Sequence, residues 1–199
     1  MKRAVPLLLA GAILAAFALP ARASTTTIQM TDEFTFDPTP IAVNMGDAVK
    51  WQAANFSHTA TSNTGLFDLT VSSHQSKSKA FKFAGTFPYY CQFHGSPGQG
   101  MHGRLDVPAK WLNTGTQHAG DVQRVRISTV KAPSGVAFDV QMKGPGDDAF
   151  QSFKTKISNA VVKFTPDAAG EYQVRSREHL LSGNRVSGWS PAAFVEISA

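Results

Sequence analysis

Cysteine is almost absent from this chain of 199 residues, which contains only Cys91. An internal disulfide is therefore excluded, and the single thiol is either an inert core residue or a reactive or metal-binding group. Lysine and arginine form no dense tract, although the formal net charge is +5. Because nucleic-acid binding requires a concentrated basic surface, we expect no nucleic-acid partner.

Long hydrophobic runs are also scarce. The apolar run at residues 4–19 is shorter than the ~20 residues that a bilayer needs. Two basic residues precede it and the sequence Ala-Arg-Ala follows at 21–23, which is typical of a secretory signal peptide. We predict a signal peptide over residues 1–23, a mature periplasmic or extracellular chain from Ser24, and no permanent membrane anchor. Cleavage removes three basic residues and no acidic one, which lowers the formal charge from +5 to +2.

Helical periodicity is lacking in the first half of the chain. Apolar residues alternate with polar ones in short runs, such as Ile41–Val43 and Val49–Trp51, with turn residues between them. Short alternating runs at regular spacing predict an all-β sandwich or barrel over residues 24–108. The polar segment Thr70–Lys79 has no assignable pattern.

A second set of alternating runs begins at Asp121. Tyr172–Val174 and Val195–Ile197 are examples, and proline and glycine mark the turns between the runs. This pattern predicts a second β-sandwich over residues 121–199. Residues 109–120 are predicted to form a linker.

The chemistry of the first half is concentrated around the single cysteine. Phe87, Tyr89 and Cys91 alternate, so that on a strand all three side chains point to one face. His94 follows three residues later, and a glycine-rich turn then leads to Met101 at the start of another alternating run. Two strand ends and one loop therefore bring a thiolate, an imidazole and a thioether within reach of one place.

This set of ligands suits copper. Two histidines and one cysteine with a weak axial methionine form a blue-copper electron-transfer site. The second histidine is best supplied by His58, which follows the strand-like run that ends at Trp51. We therefore predict one copper ion bound by His58, Cys91, His94 and Met101.

Residues 26–107 resemble a cupredoxin, the small blue-copper domain of plastocyanin, pseudoazurin and amicyanin. The matching segments occur in the family's order: Ile41–Trp51 with its central Gly-Asp, then His58, then Phe81–Cys91, then the Met-x-Gly-x-Leu-x-Val sequence that ends at Val107. The resemblance implies a Greek-key β-sandwich that holds one type 1 copper ion.

The resemblance also implies a role for each ligand. Cys91 would bind as thiolate and both histidines as neutral imidazole. His94 would lie at the surface as the electron port, with Pro97 and Met101 as an apolar collar on which redox partners dock briefly. Thr59, where relatives often carry asparagine, would brace the cysteine loop.

One departure from the family pattern concerns the axial ligand. Six residues, 95–100, separate His94 from Met101, more than in common family members. This insert either bulges outward and leaves Met101 in place, or displaces it and gives a longer axial bond, a water ligand or no axial ligand. In the second case His102, which alternates outward from Met101, is a reserve ligand.

The second half resembles a fibronectin type III domain. The resemblance rests on the segment Phe164–Arg177, followed by Ser187–Pro191. It implies that Tyr172 is the corner tyrosine, whose hydroxyl bonds to the chain before it. The usual early tryptophan is absent, with Phe138 or Val140 in its region, so another immunoglobulin-like sandwich is an open alternative. Among the other histidines, His74 is expected in a solvated loop, His118 in the linker and His179 in a polar loop of the second half.

Three functions are compatible with these features. A one-electron carrier without enzymatic activity accounts best for the complete ligand set. A copper chaperone or sequestering protein would use the same ligands, and an adhesion protein would bind a cell-surface or matrix partner through residues 121–199, with copper in a structural role. A copper oxidase or nitrite reductase needs further histidine clusters, and the sequence has no His-x-His pair. A cysteine hydrolase would need an orienting acid, and none lies at recognisable spacing.

Overall fold

The computed structural model describes residues 23–199, so the predicted signal peptide lies outside the described residues apart from Ala23. Almost all regular structure in this part is β-strand, which confirms the predicted all-β fold. The one helix among the described residues is a 3-10 turn at Ser182–Asn184. No described helix is long and apolar enough to cross a membrane.

Nine strands form a first sandwich. They are β1 (Thr25–Met30), β2 (Phe36–Asp37), β3 (Ile41–Ala42), β4 (Ala48–Ala53), β5 (His58–Ser62), β6 (Asp68–Val71), β7 (Ser76–Ala80), β8 (Gly85–Ser96) and β9 (Gln99–Val107). One sheet has the order β2-β1-β4-β7 and the other the order β3-β9-β8-β5-β6. The chain crosses between the sheets from β4 to β5 and from β6 to β7, as in Greek-key sandwiches.

The space between these sheets is filled by the alternating apolar side chains. Trp51 lies fully buried at the centre, with its ring 5.7 Å from that of Tyr89, 6.1 Å from Phe81 and 6.0 Å from Phe67. Aromatic pairs of this kind contribute about 0.5–1.5 kcal/mol each beyond the area that they bury. Since Tyr89 lies two residues before Cys91 on β8, this aromatic core fixes the strand that carries the thiol.

The polar segment Thr70–Lys79 contains the end of β6 and most of β7. Each of these strands is the edge strand of its sheet. Edge strands are largely solvated and often carry charged side chains, as the lysines of β7 show. The exposure of both edges explains why this segment has no clear hydrophobic pattern.

Nine further strands form a second sandwich. They are β10 (Lys110–Trp111), β11 (Gln117–His118), β12 (Gln123–Arg126), β13 (Val136–Lys143), β14 (Gln151–Ile157), β15 (Val161–Phe164), β16 (Gly170–Leu180), β17 (Arg185–Val186) and β18 (Ala193–Ser198). Its sheets have the orders β10-β12-β15 and β11-β18-β16-β13-β14, and β17 pairs with β16.

The segment predicted as a linker, residues 109–120, contributes two of these strands. β10 pairs with β12, and β11 pairs with β18. Ala109 belongs to the second core, and the Trp111 ring packs 5.8 Å from that of Phe164. Each strand is only two residues long, so periodicity does not reveal it, and the segment is part of the second sandwich rather than a free connection.

The core of the second sandwich holds Phe138 and Val140, both fully buried in β13. Tyr172 lies where a corner tyrosine is expected, since its hydroxyl is 3.3 Å from the carbonyl oxygen of Ala168 and 3.3 Å from Oδ1 of Asp167. These bonds to the preceding chain confirm the role that the sequence predicts for Tyr172.

Main-chain hydrogen bonds join the two sandwiches. The Thr86 N–H donates to the Gly188 carbonyl at 3.0 Å, and the Gly188 N–H donates to the Thr86 carbonyl at 2.8 Å. The Ala84 N–H donates to the Ile127 carbonyl at 2.9 Å. Because Thr86 lies in β8, the second sandwich is attached to the strand that also carries Cys91.

Candidate metal centre

The predicted ligands meet where β5 begins and β8 leaves its regular pairing. β5 starts at His58 and runs antiparallel to β8, with Thr61 opposite Tyr90. Antiparallel pairing places the start of one strand beside the later part of the other. His58 therefore comes to lie beside the residues that follow Cys91.

Three donor atoms converge at this place. His58 Nδ1 lies 3.1 Å from His94 Nδ1, and Cys91 Sγ lies 3.5 Å from His94 Nδ1 and 3.8 Å from His58 Nδ1. Within residues 23–199 this is the group of histidine, cysteine and acidic side chains that is close enough to hold a metal ion. His58 and Cys91 are fully buried, whereas His94 is partly exposed.

The spacing of the three atoms fits one metal ion. Their mutual distances place them on a circle with a radius of about 2.0 Å, and bonds from a metal such as zinc to imidazole nitrogen and thiolate sulfur are about 2.0–2.3 Å long. Two imidazoles and a soft thiolate favour copper over hard cations. The cluster is therefore a site suited to one copper ion.

Thr59 braces the cysteine loop from the neighbouring strand. Its N–H donates to Cys91 Sγ at 3.3 Å, and its hydroxyl oxygen accepts a hydrogen bond from the Gln92 N–H at 2.8 Å. The Thr61 hydroxyl lies 2.9 Å from that of Thr59 and donates to Oδ1 of Asp68 at 2.7 Å. These contacts confirm the bracing role predicted for Thr59.

Met101 lies opposite the ligand loop. The pairing of β8 with β9 is regular up to Tyr90, opposite His102, and it resumes at Gly100. The four residues 91–94 of β8 consequently face Met101 alone. Irregularities of this kind re-aim side chains beside functional sites. The methionine is only 1% exposed and belongs to the same core cluster as the cysteine.

The insert at residues 95–100 forms the tip of a β-hairpin beyond this irregularity. Ser96 pairs with Gln99, so Pro97 and Gly98 form the turn. Gly98 has a φ of +78°, and proline followed by a residue with positive φ is what a type II turn requires. The insert is therefore an exposed hairpin tip, and Met101 lies buried in the strand that follows it.

Two exposed aromatic rings lie beside His94, and a third lies next to one of them. The Phe34 ring stacks on the His94 ring, with 4.2 Å between centroids and 21° between planes. Phe56 lies 5.7 Å from Phe34, and Phe93 lies 6.2 Å from His94. We call these three phenylalanines the aromatic rim; their exposed fractions are 41%, 48% and 57% for Phe34, Phe56 and Phe93.

The aromatic rim replaces the predicted collar of Pro97 and Met101. Met101 is buried and contributes no surface, and Pro97 lies at the hairpin tip. The sequence did not predict a role for Phe34 because this residue is far from the ligands along the chain. It comes close to them only because the turn between β1 and β2 packs beside the cluster. The available signal was the large apolar side chain of Phe34 or Phe56 in an otherwise polar turn sequence.

Burial lowers the pKa of His58 below its usual value, and the nearby His94 lowers the pKa further, whereas Asp32 opposes the shift. A low pKa keeps the ring neutral, and the neutral ring is the form that binds a metal. Within the described part of the chain, the buried Nε2 atom of His58 has no hydrogen-bond partner.

The histidines outside the cluster lie apart from it. His74, His118 and His102 are exposed, as expected. The expectation for His179 is wrong, since this residue is only 5% exposed and lies within β16. Its Nδ1 atom is 3.0 Å from Oδ2 of Asp139, so the buried ring forms part of a polar network in the second sandwich.

Comparisons with known proteins identify similar structures but no similar sequence. No protein-family model matches the chain, and no curated protein matches it. A reduced Cu(I) form of an amicyanin mutant is 23% identical, and the match covers 47% of this chain and 90% of that chain with a TM-score of 0.36. A copper-containing nitrite reductase from Thermus scotoductus is 13% identical over 89% of this chain and 62% of that chain, with a TM-score of 0.32.

A third similar structure is the chicken interferon gamma receptor alpha chain, which is 10% identical over 72% of this chain and 86% of that chain, with a TM-score of 0.34. The assignment of the two halves rests on their own topology and contacts. The chain combines a cupredoxin-like sandwich that has a His–Cys–His copper site with a second sandwich of the fibronectin type III-like or immunoglobulin-like kind.

Proposed function

We propose that this chain is an exported type 1 copper protein that carries single electrons between partner proteins. The observation that carries the proposal is the convergence of the His58, Cys91 and His94 donor atoms, all within 4.8 Å of one another, beside the buried Met101. This is the ligand set of a blue-copper electron-transfer site.

The chain's own residues prepare this site. Cys91, whose sulfur accepts the Thr59 N–H, would hold the ion through its sulfur, and His58 and His94 would hold it through ring nitrogens. Bound copper would provide a one-electron couple between its Cu(I) and Cu(II) states. Met101, opposite the ligand loop, is the proposed weak axial ligand.

Rigidity of the ligands supports a carrier function. The Thr59 hydroxyl ties β5 to the Gln92 backbone next to Cys91, and the aromatic core around Trp51 fixes β8 from the other side. Ligands held in this way would need little rearrangement when a bound copper ion changed its oxidation state. A small rearrangement on electron transfer is what a fast carrier needs.

The closed form of the site favours a carrier over an enzyme. His58 and Cys91 are fully buried, so the cluster has no open face for a substrate apart from the side of His94. Residues 23–199 gather into a single metal-binding group, whereas a copper oxidase or reductase needs a second centre. We therefore propose that the protein has no catalytic activity of its own.

The aromatic rim is the proposed docking surface for the redox partner. It lies beside His94, the ligand that reaches the surface, and Phe34 stacks directly on its ring. Transient redox encounters use small interfaces, and aromatic side chains are enriched in interface cores. A partner that rests on the rim comes close to the metal without opening the site.

Copper handling is the alternative, and it predicts rapid exchange of the ion. The burial of His58 and Cys91 and the brace at Thr59 oppose rapid release. Transfer of Cu(I) from the loaded protein to a soluble chelator therefore separates the two functions. We expect release over hours for the carrier, whereas complete release within seconds would favour the chaperone.

The proposal is tested by spectra of the mature protein with Cu(II) added. We expect an intense thiolate-to-copper band in the visible range and narrow copper hyperfine splitting in electron paramagnetic resonance. Cys91→Ser should abolish both, and His102→Gln is the matched control that should keep them. Wild-type protein that takes up Cu(II) without a thiolate band would refute the proposed function.

A further inference from the structure

Within residues 23–199, the carboxylate of Asp47 is a buried charge whose contacts are all hydrogen bonds. Asp47 is 7% exposed, and the three ion pairs among the described residues lie elsewhere. Its Oδ1 accepts the Ser24 N–H at 2.8 Å, and its Oδ2 accepts the N–H and the side-chain amide of Asn44 at 3.2 and 3.3 Å. Buried carboxylates are usually paired with a cation, so this one calls for an explanation.

The nearest donor to this carboxylate is the nitrogen at the predicted processing site. Hydrolysis of the bond between Ala23 and Ser24 adds one water. The carboxyl group leaves with Ala23, and the freed amine of Ser24 takes up a proton. The group that now donates one N–H to Asp47 would then be an ammonium with three N–H donors and a positive charge.

We propose that Asp47 is a binding site for the processed amino terminus, in which the α-ammonium of Ser24 forms a salt bridge that only the mature chain possesses. The proposal rests on the proposed export of the protein and not on its copper chemistry. Removal of the signal peptide would then also stabilise the first sandwich.

The surroundings of Ser24 hold the ammonium in position. The Ala48 N–H donates to the Ser24 carbonyl at 2.8 Å, and β1 begins at the next residue. The chain around Asp47 is also fixed, since the Phe81 N–H donates to the Asp47 carbonyl at 2.9 Å and the Gly46 N–H donates to the Phe81 carbonyl at 2.7 Å. Formation of the new salt bridge therefore requires little additional loss of conformational entropy.

A cavity of about 620 Å³ beside this contact is lined by residues of both sandwiches, including Ala23, Ser24 and Asp47. It gives the remaining ammonium hydrogens access to water. Lys110 of β10 and Arg126 of β12 also line it and are the other charged groups that face the site.

The Ser24 hydrogen bond is the main reason that the pKa of Asp47 lies below its usual value, whereas burial opposes the shift. Asp47 is thus an anion at neutral pH.

The first test is the identity of the amino terminus. The full chain is expressed in a host that exports it, and the mass of the exported protein is measured. We expect a chain that begins at Ser24. A different first residue would overturn the proposal, while the copper spectrum of the same sample reports independently on the proposed function.

The second test compares chains that begin at Ser24 and at Ala23, each with Asp47 or with Asp47→Asn. We expect the Ser24 start to raise the folding equilibrium constant about tenfold over the Ala23 start, the size typical of a hydrogen bond to a charged group. Asp47→Asn should remove this difference. An equal difference in both backgrounds, or none with Asp47, would refute the salt bridge.

A titration of the Ser24 amine by NMR gives a readout that mere packing would not change. We expect its pKa above the ordinary ~7.7–8.0 of an α-amino group. The extra stability is then fully present below this ordinary value and is lost as the pH rises through the raised pKa. An ordinary α-amino pKa in the folded protein would contradict the proposal.

Discussion

The two sandwiches each bury one histidine, and the two rings have opposite surroundings. In the second sandwich both ring nitrogens of His179 face oxygen atoms, Oδ2 of Asp139 at 3.0 Å and Oδ1 of Asn184 at 2.7 Å. In the first sandwich Nδ1 of His58 faces another ring nitrogen at 3.1 Å and the sulfur of Cys91 at 3.8 Å. The His179 ring therefore has protein oxygen atoms as partners for both of its nitrogens. The His58 ring instead faces groups that, like itself, are ligands for a metal ion.

This difference separates a structural polar cluster from a metal site. The Asp139 carboxylate is also 3.0 Å from Nη2 of Arg177 and accepts the Lys156 N–H at 3.0 Å, so each charge has a partner. Around His58 the protein supplies lone pairs of nitrogen and sulfur. Only one proton can lie between the ring nitrogens of His58 and His94. A cluster of this second kind is complete only when a cation enters it.

Exchange of each buried histidine for glutamine is expected to have the largest effects and to separate these two roles. His58→Gln should abolish the copper band and leave the stability of the metal-free protein nearly unchanged. His179→Gln should keep the band and lower the free energy of unfolding by about 1–3 kcal/mol, since it disturbs a buried hydrogen-bonded network. Copper spectra and urea unfolding of the metal-free proteins measure both effects.

The opposite pattern of effects would contradict these two assigned roles. If His179→Gln also loses the band, the two sandwiches act as one unit through β8. If His58→Gln alone destabilises the metal-free protein, then His58 has a structural role of the kind assigned to His179.

The junction between the sandwiches is expected to respond to pH. Glu178 of β16 lines a cavity of about 330 Å³ with Lys79 and Phe81 of the first sandwich. Burial raises the pKa of Glu178 to about 7, and Lys79 opposes the shift. Since the folded-state pKa is raised above the unfolded value, this contribution to stability is present below the ordinary pKa of ~4.3 and is lost as the pH rises through about 7.

Glu178→Gln should therefore be more stable than the wild type at pH 8, by about 3 kcal/mol, and nearly equal to it at pH 4. Urea unfolding at several pH values measures the difference. Glu171→Gln, at an exposed position of the same strand, is the matched control. A difference that does not depend on pH would show that the sandwiches are separated in solution.

Removal of the Thr59 hydroxyl tests the brace on the cysteine loop. Thr59→Val keeps the shape but leaves the Gln92 N–H without its partner, so we expect a loss of about 1 kcal/mol and a shifted copper band. Thr59→Ser retains the hydroxyl and should behave like the wild type. Equal spectra for both variants would mean that the cysteine loop is held by other contacts.

Met101→Leu is expected to change stability least, by less than about 1.5 kcal/mol, because the two side chains are similar in volume. Copper should still bind, but the spectrum and the reduction potential should change, since the axial ligand tunes both. Met45→Leu, outside the ligand set, is the control. An unchanged spectrum in Met101→Leu would show that Met101 is not an axial ligand.

The sequence alone determined the all-β class, both sandwiches and the residues of the copper cluster. Alternation along β8 predicted that Cys91 lies in the core. The metal site could be predicted from the spacing between Cys91 and His94 because both lie in one short segment. The role of Tyr172 was also readable, since a corner tyrosine bonds to residues only four or five positions away. Contacts between residues that are close in the sequence can be predicted from local sequence patterns.

Features that depend on pairing between distant segments could be seen only in the folded chain. The two strands within residues 109–120 are stabilised by their partners β12 and β18, and the stacking of Phe34 on His94 depends on how a separate turn packs. The position of Met101 follows from the register between β8 and β9, which the length of the loop does not determine. His179 is buried beside Asp139, which lies on the neighbouring strand β13 opposite Arg177 and bonds to the His179 ring. Each of these contacts joins parts of the chain that local patterns treat as independent.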